Sequence, residues 1–396
     1  MKTTDLPWFT AFAGLGLMVG SAVALTSFKG GMFHPVAPQV PQKPAKPPLP
    51  SAPQSRPTIE VAFLMDTTGS MGGLIQGAKD RIWSMASKLM QGDPQPKLRI
   101  ALIGYRDSLD DYVVKVHDFT DDMDLVHQNL MAFRAAGGGD TPEAVADALR
   151  AAHDLQWSEE RDVLRLVYVV GDAPAKPVAG GPDALEWSRR LNQREIAVGA
   201  VQCGNMAMTT RAFHLLAEHG GGAFVKVAQD GGMARAPATP YDAEIGELER
   251  ESMALSTYGG RAEVRSGAER KLDAAAGLAA PSLADRASYF AKRKDVKGMV
   301  ETDAVDLLAD PDKVEQLAPA ELPEDLRALS RSEQKAEIQR RAEKSKTLRK
   351  RVMKLVEERD AWLRDHEAGE GRREKGLDDH LLEDVAKRSR KVGIAY

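Results

Sequence analysis

The sequence predicts an α/β domain, doubly wound on a mostly parallel sheet, followed by a helical C-terminal region. Two observations predict it. Residues 61–65, 98–105, 164–170 and 196–201 are short, almost unbroken apolar runs rich in β-branched side chains, the pattern of strands buried on both faces. Residues 74–90, 123–133 and 142–155 lie between them and space their apolar residues for helices. Alternation of the two places helices on both sides of a parallel sheet. Residues 112–116 alternate as an edge strand would, and a helix at 210–218 with a last strand at 223–227 closes the domain near Val227.

The chain is 396 residues long, more than one ordinary core requires, so further folded segments are expected beyond this domain. Lys and Arg number 54 against 58 Asp and Glu, a net charge of −4, which argues against a surface built to seek nucleic acid. The single cysteine, Cys203, excludes an intrachain disulfide and any zinc site of several thiolates. Residues 8–28 carry no charge and are about long enough to cross a bilayer as a helix. A cleaved secretory signal, with Lys2 ahead of the run and Ala22-Val23-Ala24 as its cleavage site, is the competing expectation. Either one exports the rest of the chain.

The expected organisation is a membrane anchor or signal over 1–29, a Pro-rich linker over 30–57, the α/β domain over 58–228, a partly helical stretch of unassigned fold over 229–329, and a charged helical region over 330–396. Within the last, Leu348, Val352, Leu355, Arg359 and Trp362 follow four-three spacing and form a narrow apolar seam on a helix over 330–365. The expectation is a helix packed on its own chain, with a coiled-coil dimer as the alternative. A final helix is expected near 381–391.

The chemistry concentrates where strands end. The first strand runs into Asp66-Thr67-Thr68-Gly69-Ser70, and ligands of open α/β sheets collect at the carboxyl ends of strands. A carboxylate and hydroxyls two residues apart can aim their oxygens at one point, and hard divalent cations take oxygen ligands, magnesium with few carboxylates and several waters. Thr141 follows the Gly137-Gly138-Gly139-Asp140 run, and Asp172 follows the strand at 164–170. Three loops would converge on one edge of the sheet.

This ordered set, Asp66-x-Thr68-x-Ser70, then Thr141, then Asp172, resembles the metal-ion-dependent adhesion site of the von Willebrand factor type A family. The resemblance implies a Rossmann-like fold and one Mg2+ (or Ca2+ or Mn2+) held by Asp66, Thr68, Ser70, Thr141 and Asp172, some directly and some through water. It also implies a coordination position left for an Asp or Glu of a protein partner. Thr68 stands where many members carry Ser, and it keeps the hydroxyl. The details Gly104-Tyr-Arg-Asp107, Gly138-Gly-Asp-Thr-Pro-Glu143 and Gly171-Asp-Ala-Pro174 look most like the branch found in bacteria and beside alpha-kinases. The expected function is therefore an exported, non-enzymatic, metal-dependent binding module.

Two other classes compete. A hydrolase would use the metal to polarise a phosphoryl or acyl group, but no nucleophile-base pair stands out. A structural scaffold would act through the C-terminal helices. Other signals read as structural. No Gly-Lys-Ser/Thr follows the glycine run, which rejects a nucleotide loop. Thr68 occupies the place of the second aspartate of an aspartyl phosphatase. His214 and His219 lack zinc spacing, and Cys203 reads as a core residue. Asp140 reads as a helix cap, and Arg106 with Asp107 as a local ion pair.

Overall fold

The computed structural model describes residues 56–107, 110–138, 141–233, 238–293, 298–367 and 375–396. The chain divides into two units, residues 1–53 and 54–396, and all the described residues belong to the second. The expected anchor or signal over 1–29 lies outside the described residues, as does all of the expected linker but Arg56 and Pro57. Among the described residues no helix is long and apolar enough to cross a membrane.

From β1 (Thr58–Asp66) the chain passes through α1 (Gly72–Leu89) to β2 (Lys97–Tyr105) and returns along β3 (Val114–Thr120). It continues by α2 (Met123–Met131) and α3 (Val145–Asp154) to β4 (Val163–Gly171), α4 (Ala184–Gln193), β5 (Ile196–Cys203), α5 (Ala207–Gly220) and β6 (Gly221–Val227). The strand order is β3-β2-β1-β4-β5-β6. Every pairing is parallel except that of β3, an antiparallel edge. The mostly parallel, doubly wound sheet is thus the architecture the apolar runs predict.

Sequence order reverses between β1 and β4, which are neighbours in register from Thr58↔Val163 to Met65↔Val170. Such a switch point opens a crevice at the carboxyl ends of the two strands. β1 is buried along its length apart from Thr58, because alternate residues serve different cores. Val61, Phe63 and Met65 pack with Leu74, Ile82 and Trp83 of α1. Ala62 and Leu64 pack with Val145 and Leu149 of α3 and Phe213 of α5.

Two elements depart from the sequence expectation. α3 starts at Val145, not at residue 142, because the Glu143 backbone is engaged elsewhere: its N–H donates to the Pro174 carbonyl (2.9 Å) and its carbonyl accepts from Lys176 N–H (2.7 Å). α4 was not expected. Its Ala184-Leu-Glu-Trp-Ser-Arg-Arg-Leu sequence is short and charged, and the Asp183 side chain caps it by accepting from Glu186 N–H at 2.8 Å.

The stretch left unassigned at 229–329 holds α6 (Asp242–Leu255), a two-stranded ladder of β7 (Tyr258–Gly259) and β8 (Val305–Asp306), α7 (Ala262–Ala276), α8 (Ala280–Lys292) and the short α9 (Glu324–Arg327). Beyond it, α10 (Arg331–Glu367) and α11 (Leu377–Ser389) are the two expected C-terminal helices. The seam of α10 is filled from within the chain: Val352 and Leu355 pack with Ile245 of α6 and with Ala284 and Ala287 of α8. The seam that suggested a coiled coil is therefore covered by the chain's own helices. Tyr289 of α8 and Leu377, Leu381 and Val385 of α11 belong to the same core as α1 and β1, so the C-terminal helices help to cover one face of the sheet.

Buried arginines fasten this cover. Arg286 of α8 is fully buried and grips Asp124 of α2 with two hydrogen bonds, of 2.8 and 2.9 Å. Arg81 of α1 donates to Asp378 of α11 at 2.8 Å. Arg359, from the seam of α10, reaches Asp242 at 2.7 Å and Asp285 at 2.8 Å. Breaking a buried pair by removing one partner strands the other charge, whereas replacing both with apolar residues does not. Arg286→Ala is therefore expected to lower unfolding free energy by about 3–5 kcal/mol in urea titration. Because the buried Glu249 also faces Arg286 at 3.8 Å, the double change Arg286→Met with Asp124→Leu is expected to recover only part of that loss.

Candidate metal centre

Asp66 is the last residue of β1 and Asp172 the first after β4, so the switch point itself sets them side by side. Asp66 is fully buried and Asp172 half-buried. The Asp66 carboxylate folds the first loop around itself: Oδ1 accepts from Thr68 N–H at 2.8 Å and from Thr68 Oγ1 at 2.6 Å, an Asx turn. The single 3-10 turn Gly69–Met71 then brings Ser70 Oγ to 3.4 Å from Thr68 Oγ1. The other oxygen, Asp66 Oδ2, is buried with no hydrogen-bond partner.

The second loop is stitched to the first by backbone hydrogen bonds from Gly69 N–H to Gly137 carbonyl (3.2 Å) and from Ala136 N–H to Thr67 carbonyl (3.1 Å). Gly138 has φ of 80°, and a Cβ there would stand 3.0 Å from Thr68 Cβ. Backbone conformation and space both call for glycine. The third loop is held from behind, Asp172 carbonyl accepting from Thr209 Oγ1 and Asp172 Oδ2 from Gln229 Nε2, both at 2.7 Å.

Arg106 and Asp107 do not pair with each other, contrary to the sequence expectation. Arg106 is buried, donates to the carbonyls of Thr67 (3.1 Å) and Arg134 (2.7 Å), and lies over the Tyr112 ring. It braces the first two loops. Asp107 instead pairs with Lys176 of the third loop.

Of the five residues picked from the sequence, Asp66, Thr68 and Ser70 touch one another, and Asp172 lies within electrostatic reach of Asp66. Thr141 is exposed on the second loop. Among the described residues no hydrogen bond joins it to the other four. Asp140 lies outside the described residues. The structure adds Glu143, which is 3% exposed with Oε2 buried and unpartnered. Its motif was visible in the sequence, but its place after Pro142 reads as the first turn of a helix.

The electrostatics follow from this crowding. Burial, aided by the Asp172 charge and opposed by the Thr68 hydrogen bonds and the nearby Asp172 backbone N–H, pushes the Asp66 carboxyl up to about 6. Burial and then the charges of Asp66, Asp107, Asp110 and Asp172 push Glu143 up to about 8. Among the described residues no three His, Cys, Asp or Glu gather tightly enough to chelate an ion alone. An ion here would rely on the Thr68 and Ser70 hydroxyls and on water, which is how magnesium is commonly held. The residues fit such an ion, since a buried carboxylate oxygen without a hydrogen-bond partner lies in the same loop as two neighbouring hydroxyls. Cys203 is buried, and burial raises its thiol well above the usual range, away from nucleophilic use.

Because folding raises the Asp66 carboxyl from 3.8 to about 6, the cation-free protein draws stability from it below pH about 4. That stability is lost as pH rises through about 6. Asp66→Asn keeps an acceptor for Thr68 and removes the buried charge. At pH 7 in chelator it is expected to be more stable than the parent by on the order of 1–3 kcal/mol in urea, and the advantage should vanish by pH 4.

Residues 60–229 match the family model for the von Willebrand factor A domain. No curated protein matches the chain. Among solved structures, the conserved hypothetical protein BatB from Bacteroides thetaiotaomicron is similar at 15% identity, over 43% of this chain and 90% of that one, with a TM-score of 0.34. The SpRpn10 VWA domain is similar at 13% identity over 46% and 90% of the two chains, with a TM-score of 0.33. The proximal thread matrix protein 1 of the mussel byssus, with a zinc-occupied MIDAS motif, is similar at 16% identity and a TM-score of 0.34. The match covers 44% of this chain and 43% of the mussel chain, less than half the length of either.

Proposed function

We propose that residues 60–229, a von Willebrand factor A domain, hold a divalent cation at Asp66, Thr68, Ser70, Thr141 and Asp172 and use it to capture a carboxylate of a protein partner. The single observation that carries this reading is the buried, unpartnered Asp66 Oδ2 at the switch point of the sheet. A carboxylate oxygen removed from water without a donor is costly, and a chain keeps such a group where something else supplies the positive charge. A bound Mg2+, or Mn2+ or Ca2+, would supply that charge and leave coordination positions to outside oxygens.

The chain's own residues do the rest. Asp66 holds Thr68 in the turn that aims the hydroxyls. Gln229 and Thr209 fix Asp172, and Arg106 clamps the first loop to the second. The role is binding, with no reaction assigned: the buried Cys203 offers no nucleophile, and neither hydroxyl at the site has a histidine partner among the described residues. Export of the domain is part of the proposal and rests on the uncharged run at 8–28.

Titration of Mg2+ and Mn2+ into the full chain by calorimetry is expected to show one saturable site that is lost in Asp66→Ala. Immobilised chain should retain acidic partners from envelope extracts in Mg2+ and release them in chelator. Equal retention with and without chelator, or by an Asp172→Ala variant, contradicts capture through a cation.

A further inference from the structure

A cleft of about 1190 Å³ opens between the C-terminal region and the start of α2. It is set apart from the strand-end loops. Asp122, which lines it and caps α2, follows β3, whose last residue pairs with Ile100 near the start of β2, whereas the candidate cation site stands where β1 and β4 finish. The β7–β8 ladder lines the cleft, with Tyr258 opposite Asp306 in register. Gly298 lies beside them. A Cβ on this glycine would have three oxygens as its nearest neighbours: Asp306 Oδ2 at 3.1 Å, Tyr258 Oη at 3.3 Å and the Val300 carbonyl at 3.4 Å. A carboxylate, a phenol and a carbonyl thus surround one small space that the missing side chain leaves open.

These oxygens are not needed by the fold. Tyr258 is 4% exposed, and its hydroxyl is buried with no hydrogen-bond partner, a condition that costs stability. Asp306 uses Oδ1 to accept from the Leu308 and Ala309 N–H groups, at 2.9 and 3.2 Å, which leaves Oδ2 for a ligand. Two bases of the cleft are already engaged, Lys271 with Asp122 and Arg293 with Glu301, and Arg349 acts on Asp306 through its charge alone. The remaining acids are not engaged. Glu263, Asp303 and Asp310 line the same cleft and form no ion pair among the described residues, against one lining base, Lys313, in the same condition.

Acceptor oxygens gathered about one point suit a primary ammonium, which carries three donors and no acceptor. A metal ion is a poorer fit, because among the described residues no three His, Cys, Asp or Glu gather to chelate one. The surplus of acids along the cleft suits a ligand with more than one positive group. We propose that this cleft binds a linear polyamine, with one primary ammonium seated against Tyr258, Asp306 and the Val300 carbonyl and the others facing Glu263, Asp303 and Asp310. The site is independent of the capture of a partner through a cation.

The test is calorimetry at low salt and in chelator, with spermidine titrated into the full chain and into Tyr258→Phe, Asp306→Asn and Gly298→Ala. Diaminohexane and hexamethonium, which share a chain length and charge but differ in having N–H donors, are titrated in parallel. The parent is expected to bind spermidine at one saturable site, more weakly as salt is added, and to prefer diaminohexane to hexamethonium. Tyr258→Phe removes a hydroxyl that nothing in the chain uses, so its urea midpoint should match or exceed that of the parent while spermidine affinity falls about 10-fold. Asp306→Asn, which keeps an acceptor for Leu308 and Ala309, and Gly298→Ala, whose methyl fills the space, should lose at least as much. Equal affinity in Tyr258→Phe, or equal binding of hexamethonium and diaminohexane, overturns the assignment, since either marks attraction to acidic surface alone. A parent that binds no spermidine overturns it as well, and so does a Tyr258→Phe midpoint that falls along with affinity.

Discussion

A carboxylate taken out of water must find donors, and Asp66 finds them for only one of its two oxygens. Its burial is imposed by position: it ends the middle strand of the sheet, between β2 and β4, with helices packed on both faces. The surroundings are arranged about the unsatisfied oxygen. Gly171 opposite it has no side chain, and a Cβ there would stand 3.3 Å from Asp66 Oδ2 and 2.5 Å from Tyr105 Oη. The hydroxyl of Thr68 sits on the other oxygen, Oδ1, and that of Ser70 lies 3.4 Å from the Thr68 hydroxyl. Such groups are held against their own stability cost by a rigid scaffold, which is where functional sites commonly sit.

That scaffold is larger than the matched domain. α1 leaves directly from the Asp66 loop, and the helix is covered by α8 and α11 from the C-terminal region. Arg81 of α1 is paired with Asp378, and the backbone N–H of Leu377 donates to the Gly231 carbonyl just beyond β6. The helical region and the candidate site thus share one helix. Arg286 grips both carboxylate oxygens of Asp124, a geometry that is strict, and with the Arg81 and Arg359 pairs it fixes the cover on the sheet. Their contribution to net stability is smaller than their number suggests, because desolvating each pair offsets much of its attraction.

Much of this was legible in the sequence. The strands announce themselves because burial on both faces leaves no polar alternation to confuse them, and the Asp66 loop because its polar residues follow such a strand without a break. Asp172 was legible for the same reason. Strand order was not: no local pattern states that β1 lies beside β4. α4 was hidden by its brevity: in ten residues its buried stripe is only Ala184, Ser188 and Leu191, and one of the three is polar. Residues 229–329 bury small residues such as Ala268, Ala275, Ala284 and Ala287, whose weak hydrophobicity leaves no clear stripe. Glu143 escaped because its burial comes from pairing with the third loop, a contact between residues about thirty positions apart in the chain.

The central claim is that the buried, unpartnered Asp66 Oδ2 is satisfied by a divalent cation. Anomalous diffraction from crystals of the full chain grown with Mn2+ tests this most directly. The account predicts a single strong peak at the carboxyl ends of β1 and β4, within bonding distance of the Ser70 and Thr68 hydroxyls. Absence of a peak at saturating Mn2+, with Asp66 Oδ2 hydrogen-bonded to a donor from the chain itself, would contradict it.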